Sequence, residues 1–147
     1  MDEPMDEVIR MEYEVDGENF ATAGEASADV KRILRQLGLP ADFIRRVAIA
    51  MYEGEINMVI HAHGGKALVE IMPQRIKVEL IDVGPGIPDI GLAMQEGYST
   101  APDSIRSLGF GAGMGLPNMK RYADNIEISS KVGEGTNVGL EFVNEKV

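Results

Sequence analysis

The chain has 147 residues, no cysteine and a formal net charge of −10, from 14 Lys and Arg against 24 Asp and Glu. This length predicts a single domain over residues 1–147 with a core of its own. Disulfides and thiolate metal sites are excluded, and the acidic balance disfavours nucleic acid as a partner. No apolar run is long enough to span a membrane and the first residues are acidic, so we expect a cytoplasmic protein without a membrane partner.

The first half of the chain is predicted to form one strand and two helices. Residues 8–15 alternate imperfectly between polar and apolar and indicate an edge strand. Residues 21–37 carry apolar side chains at helical spacing, and Gly38 is placed to end that helix. A second helix is expected to start after Pro40 and to run to about His61.

The second half is predicted to consist mainly of hairpins. In chain order we expect strands at 67–72 and 75–82, a short helix at 90–95, a polar lid at 97–115, a helix at 116–124, and strands at 126–131 and 136–143. Because most strands fall in hairpins, the fold class expected is α/β in the form of an α+β two-layer sandwich. Its sheet should be a mainly antiparallel mixed sheet with the helices on one face.

Two glycine clusters point to a phosphate site. The first is Asp82-Val-Gly84-Pro-Gly86-Ile87, and the second, Gly109-Phe-Gly111-Ala-Gly113-Met-Gly115, opens a predicted helix. Closely spaced glycines let the backbone approach a ligand, and the helix start behind them adds a positive dipole end. The second cluster is not a Rossmann fingerprint, since Leu116 stands where a third glycine is needed, and it lacks the Gly-Lys-Ser/Thr of a P-loop.

The second helix carries polar residues among apolar neighbours. Glu53 and Asn57 stand one turn apart, and a carboxylate and an amide in apolar surroundings need partners. A Mg²⁺–phosphate group and a hydroxyl would provide them; alternatively, both side chains point to solvent or cap a loop, and the spacing leaves this open. Glu55 lies on a different face, where we expect it to be exposed or salt-bridged.

Three further residues invite a chemical role. Asp82 ends a strand and could accept a hydrogen bond from the amino group of adenine, although an aspartate there could equally cap its own turn. His61 and His63 are two residues apart at a helix end, so their side chains diverge, and the chain has no third histidine. A metal role for the two histidines is therefore disfavoured.

As an ordered set these segments resemble the three nucleotide boxes of the GHKL ATPases: Glu53-Gly-Glu-Ile-Asn57, Asp82 to Ile87, and Gly109 to Leu116. Within that superfamily the chain looks like the anti-sigma-factor serine kinases and the stressosome switch kinases. The resemblance implies a histidine-kinase-like ATPase fold, ATP and Mg²⁺ as cofactors, and transfer of the γ-phosphate to a hydroxyl of a small anti-sigma-antagonist-like protein. The alternatives are a non-catalytic ATP-dependent interaction switch and, remotely, an interaction domain without nucleotide.

The resemblance also implies a role for each matching residue. Glu53 would be the general base, Asn57 would hold Mg²⁺, and Asp82 would bind the adenine amino group, with Thr136 nearby through water. The adenine pocket would be shaped by Gly84, Gly86 and Ile87. Arg106 would contact the γ-phosphate, and the phosphate lid and its flank would include Gly109, Gly111, Gly113, Gly115 and Leu116. A sigma factor or a stressosome-like assembly as partner, and a homodimer, are compatible with it.

Overall fold

The computed structural model describes residues 8–17, 22–61, 64–84, 86–87, 90, 94–95 and 115–144. The elements in chain order are β1 (Ile9–Asp16), α1 (Glu25–Gln36), α2 (Ala41–His61), β2 (Gly64–Met72), β3 (Arg75–Asp82), α3 (Gly115–Tyr122), β4 (Asn125–Lys131) and β5 (Gly135–Val143). Most of the predicted short helix at 90–95, and the lid at 97–115 apart from its last residue, lie outside the described residues. Within the described residues, no helix is long and apolar enough to cross a membrane.

The five strands form one sheet in the order β1-β2-β3-β5-β4. Every pairing between described strands is antiparallel, and both predicted hairpins, β2–β3 and β4–β5, are present. The strand at residues 8–15 was expected at an edge, and β1 does lie at one edge of the sheet. The sequence-based prediction of a mainly antiparallel sheet is therefore confirmed.

One face of the sheet packs against the helices and the other is open. Along β3, Ile76, Val78 and Leu80 are buried, whereas Lys77 and Glu79 between them are exposed on the open face. The buried strand residues join a single core with apolar residues of all three helices, including Val30, Leu34, Val47, Met51, Leu116 and Met119. This arrangement confirms the predicted two-layer sandwich.

Helix α1 is shorter than its sequence pattern suggests. It begins at Glu25, and Gly24 before it has a φ of 96°, a left-handed conformation that breaks the helix on its N-terminal side. The start predicted at residue 21 is therefore wrong by one turn. At the other end Gly38 has a φ of 76° and follows the last turn, as the sequence predicts for a C-terminal glycine.

Glu55 supplies the cap that α1 lacks. Its Oε1 accepts a hydrogen bond from the backbone N–H of Ser27 at 2.6 Å, and its Oε2 accepts from Gly24 and Ala26 at 3.1 and 3.2 Å. The residue is only 2% exposed, so the expectation of an exposed or salt-bridged Glu55 is wrong. Its partners are the unpaired N–H groups of another helix, where a negative charge also meets the positive dipole end. Burial raises the pKa of Glu55, and these hydrogen bonds oppose the rise.

Replacing Glu55 with Gln should destabilise the fold. One acceptor oxygen becomes an NH₂ group that faces backbone donors, so the free energy of unfolding should fall by about 1–3 kcal/mol. Urea unfolding of wild type and variant measures the difference. The matched control is Glu127→Gln on the open face of the sheet, where the carboxylate is exposed, and it should change stability by less than about 0.5 kcal/mol. Equal losses in the two variants would contradict the capping role.

Candidate nucleotide site

Helices α2 and α3 pack against each other in antiparallel directions. Asn57, near the end of α2, lies against Gly115 at the start of α3, where an added Cβ would sit 2.7 Å from both Oδ1 and Nδ2 of the amide. Near the start of α2, Arg46 donates a hydrogen bond from Nη1 to the backbone oxygen of Tyr122 at the end of α3, at 3.2 Å. The end of α2 therefore contacts the start of α3, and the start of α2 contacts the end of α3.

Between those two contacts, Glu53 of α2 meets Asn118 of α3. The Asn118 side chain is hydrogen-bonded to the carboxylate, and Glu53 is half-buried. Burial raises the pKa of Glu53, while the hydrogen bond with Asn118 lowers it. We call the surface formed by Glu53, Asn57, Gly115 and Asn118 the α2–α3 seam. It unites three of the predicted site residues and adds Asn118, which carried no predicted role.

Gly54 allows α2 to lie directly on the sheet. A Cβ at this position would overlap the side chain of Leu80 on β3, and it would also come within 3.4 Å of the Met119 sulfur. Leu80 stands two residues before Asp82 on the same face of the strand, so the end of β3 faces the helix layer close to α2. The sequence did give a signal, because a glycine inside a helix costs about 1 kcal/mol and is typical of close packing.

Asp82 caps its own turn and also ties two strands together. Its Oδ1 accepts hydrogen bonds from the backbone N–H groups of Gly84 and Thr136, both at 3.0 Å. The expectation that Asp82 caps its own turn is therefore confirmed. Within the described residues both hydrogen bonds of this side chain use Oδ1, so Oδ2 is the oxygen that could accept a hydrogen bond from a ligand.

The first glycine cluster packs tightly against the β4–β5 turn. Gly84 is buried, and Gly86 has a φ of 82° with its Cα so close to Lys131 that an added Cβ would lie 2.6 Å from the backbone oxygen. The N–H of Ile87 donates to Oγ of Ser130 at 2.7 Å. Glycine at residue 86 is thus needed both for its backbone conformation and for lack of space, and the turn is held in place from two directions.

Ser130 is a residue of this site that the sequence prediction missed. Its Oγ lies 2.8 Å from Oγ1 of Thr136 and donates to the backbone oxygen of Gly135 at 3.2 Å. Ser130 therefore joins Ile87 and the buried Thr136 into one polar cluster beside Asp82. A signal was present: Ser130 follows Ile126 and Ile128 at the inward-facing positions of β4, where a polar side chain needs partners.

The lid residues of the prediction, Arg106, Gly109, Gly111 and Gly113, lie outside the described residues. Leu116 is described and belongs to the core, where it anchors the start of α3. His61 ends α2, and His63 is outside the described part of the chain. In the part of the chain that the structure describes, no group of three or more acidic or histidine side chains is arranged to hold a metal ion.

The chemistry of these residues fits Mg²⁺ and an adenine nucleotide. Mg²⁺ takes oxygen ligands, and in nucleotide sites it commonly takes only one or two from the protein and the rest from phosphates and water. The amide oxygen of Asn57 is a ligand of this kind, and it lies against the bare Cα of Gly115 at the start of α3. Oδ2 of Asp82 is an acceptor suited to an exocyclic amino group.

The chain matches the histidine kinase-like ATPase domain over residues 7–142 and therefore belongs to that family. Among individual relatives, it is 32% identical to the serine/threonine-protein kinase RsbT of Bacillus subtilis over 112 residues, which cover 74% of this chain and 78% of that protein. It is 33% identical to an anti-sigma F factor of Clostridium beijerinckii over 142 residues, which cover 92% of this chain and 94% of that protein.

A solved structure shows the same fold. The crystal structure of the RsbU and RsbW domains of Rv1364c from Mycobacterium tuberculosis superposes with a TM-score of 0.62 at 15% identity, over 92% of this chain. The chain spans 32% of that protein, so the likeness concerns the fold alone. The predicted GHKL-type fold and the resemblance to anti-sigma kinases are both confirmed.

Adding one methyl group at Gly115 should weaken nucleotide binding. In Gly115→Ala the new Cβ would displace the Asn57 amide, and we expect the binding free energy of Mg·ATP to fall by about 1–3 kcal/mol. Titration calorimetry measures the loss. Gly139→Ala on the open face is the control, since its Cβ would have no neighbour closer than 3.9 Å. Unchanged affinity in a folded Gly115→Ala protein would argue against Asn57 as a ligand.

Proposed function

We propose that this protein is a serine/threonine kinase of the anti-sigma regulatory type, which transfers the γ-phosphate of Mg·ATP to a hydroxyl of a small antagonist protein. The observation that carries the proposal is the pairing of Glu53 and Asn57 in the α2–α3 seam. Glu53 is a half-buried carboxylate whose pKa burial raises, which makes it a stronger proton acceptor than an exposed glutamate. Asn57, one turn away, offers an amide oxygen that lies against Gly115 at the start of α3, a contact too close for any residue with a Cβ.

The named relatives support the same activity class. One is a serine/threonine-protein kinase and another an anti-sigma F factor, and each match covers more than two thirds of both proteins. Membership of a family of ATPase domains supports the use of ATP. A regulatory protein with a Ser or Thr hydroxyl is therefore the substrate class that we propose for this chain. Sigma-factor binding, a stressosome-like assembly and a homodimer stay predictions.

The residues would divide the reaction among them as follows. The carboxylate of Glu53 would take the proton of the substrate hydroxyl while the hydroxyl oxygen forms a bond to the γ-phosphorus. The bond between the γ-phosphorus and the oxygen that bridges it to the β-phosphate would break, and ADP would leave. Asn57 would hold Mg²⁺, which when bound neutralises charge on the phosphates. Oδ2 of Asp82 would accept the adenine amino hydrogen, and the Thr136–Ser130 cluster keeps Asp82 and the glycine turn in place.

Substitutions at Glu53 and Asn57 should have different effects. Glu53→Gln keeps the shape but removes the proton acceptor, so phosphoryl transfer should fall by about 10²–10⁴-fold while Mg·ATP affinity stays close to wild type. Asn57→Ala removes the proposed metal ligand and should weaken Mg·ATP binding itself. Calorimetry with Mg·ATP and transfer of labelled phosphate to purified candidate partners measure the two quantities, and each variant serves as the control for the other.

Two outcomes would change the proposal. If Glu53→Gln transferred phosphate at the wild-type rate to a verified partner, the mechanism through Glu53 would be wrong. If wild type transferred none, while Mg·ATP still changed its affinity for a partner, the interaction switch would replace the kinase.

The rate of phosphoryl transfer should also depend on pH through Glu53. A general base must be deprotonated, and burial raises the pKa of Glu53 above the value of an exposed glutamate. As the pH falls, the rate should therefore decline before an ordinary glutamate would be protonated. Initial rates at saturating Mg·ATP across the acidic range measure this limb, and the residual rate of Glu53→Gln should lack it.

A further inference from the structure

We propose that Asn118 is the positioning residue for Glu53: its amide holds the carboxylate in the orientation and ionisation state that proton transfer requires. This inference rests on the proposed function, since it assigns a partner to the proposed base. Asn118 would act through Glu53, without contact to the reacting atoms.

The geometry that supports this role is the register of α2 against α3. Gly115 opposes Asn57 and, one turn further along α3, Asn118 meets Glu53, which lies one turn before Asn57 on α2. The register is fixed at the far end of α3, where Arg46 binds the backbone oxygen of Tyr122. Asn118 is itself half-buried. One helix turn of α3 thus faces both proposed functional residues.

No charged side chain competes with Asn118 for Glu53 within the described residues. Besides Glu53, the charged groups on α2, α3 and β3 are Asp42, Arg45, Arg46 and Glu55 on α2, Lys120 and Arg121 on α3, and Arg75, Lys77, Glu79 and Asp82 on β3. Glu55 is turned toward α1, Arg46 binds Tyr122 and Asp124, and Arg45 lies over the ring of Tyr122. Asp42 and the two cations of α3 are exposed, and Arg75, Lys77 and Glu79 lie on the open face. Asp82 accepts hydrogen bonds from the backbone of Gly84 and Thr136.

An amide suits this position because of the two opposing demands on the base. Burial makes Glu53 a stronger proton acceptor, but by itself it would leave the carboxylate protonated and inactive over a wider pH range. An N–H donor from Asn118 stabilises the ionised form without introducing a positive charge that would weaken the base strongly.

The test removes the donor and follows the protonation of Glu53 directly. In protein labelled with ¹³C-glutamate, the Glu53 carboxyl resonance is assigned with Glu53→Gln and titrated in wild type and in Asn118→Leu. The midpoint of Glu53 should move to higher pH in Asn118→Leu. It should stay at the wild-type value in Asn125→Leu, the same chemical change at an exposed residue of β4. An unchanged midpoint in folded Asn118→Leu would overturn the proposal.

A second variant covers the event that Asn118→Leu does not fold. Asn118→Asp has nearly the same shape but places a second carboxylate against Glu53, so the midpoint of Glu53 should again rise. Failure of the midpoint to rise in Asn118→Asp would also overturn the proposal.

Enzyme kinetics then connect this coupling to phosphoryl transfer. With a verified partner, the acidic limb of kcat should move to higher pH in Asn118→Leu, whereas the KM for Mg·ATP should stay within about twofold of wild type, because no nucleotide contact is lost. A limb that stayed in place while the NMR midpoint moved would overturn the positioning role. Absence of transfer by wild type would instead refute the kinase function, which the NMR titration tests independently of any partner.

Discussion

Close contact between α2 and its neighbours is the constraint on which the site depends. Two positions without a side chain permit it: Gly54 lets α2 rest on Leu80 of β3, and Gly115 lets the start of α3 approach the Asn57 amide. Both contacts are too short for any Cβ. Because packed interiors do not deform smoothly, even a methyl group at either point would have to displace the side chain it meets, Leu80 or Asn57, or push the two elements apart.

The parts of this molecule that sequence predicted well are those set by local periodicity. The apolar spacing of α2, the alternation in β2 to β5 and the turn glycines each report on neighbours only a few residues away. The ordered set of Glu53, Asn57 and Asp82 could also be found, because each belongs to a short segment with its own pattern. Local periodicity predicted the start of α1 wrongly, because the apolar spacing continues past Gly24, whose left-handed conformation ends the helix there.

The parts that sequence missed depend on partners far apart along the chain. Glu55 was expected at the surface, yet its partners are backbone N–H groups of α1, which carry no side-chain signature. Asn118 is recognised as a site residue only by its contact with Glu53 on α2, and Ser130 only by its contacts with Ile87 and with Gly135 and Thr136 on β5. Asp82 shows that two interpretations of one residue need not compete, since Oδ1 accepts the hydrogen bonds that serve the fold and the proposed contact with adenine would use Oδ2.

The Glu55 cap has a consequence for how the molecule opens. Opening of the first turn of α1 must break the hydrogen bonds from Ala26 and Ser27 to a carboxylate on the same helix as Glu53 and Asn57. We therefore expect the two helices to behave as one cooperative unit in native-state hydrogen exchange. Amide exchange at the start of α1 would then report on opening of α2. A partner that stabilises or destabilises α2 would change the exchange rates of the first amides of α1.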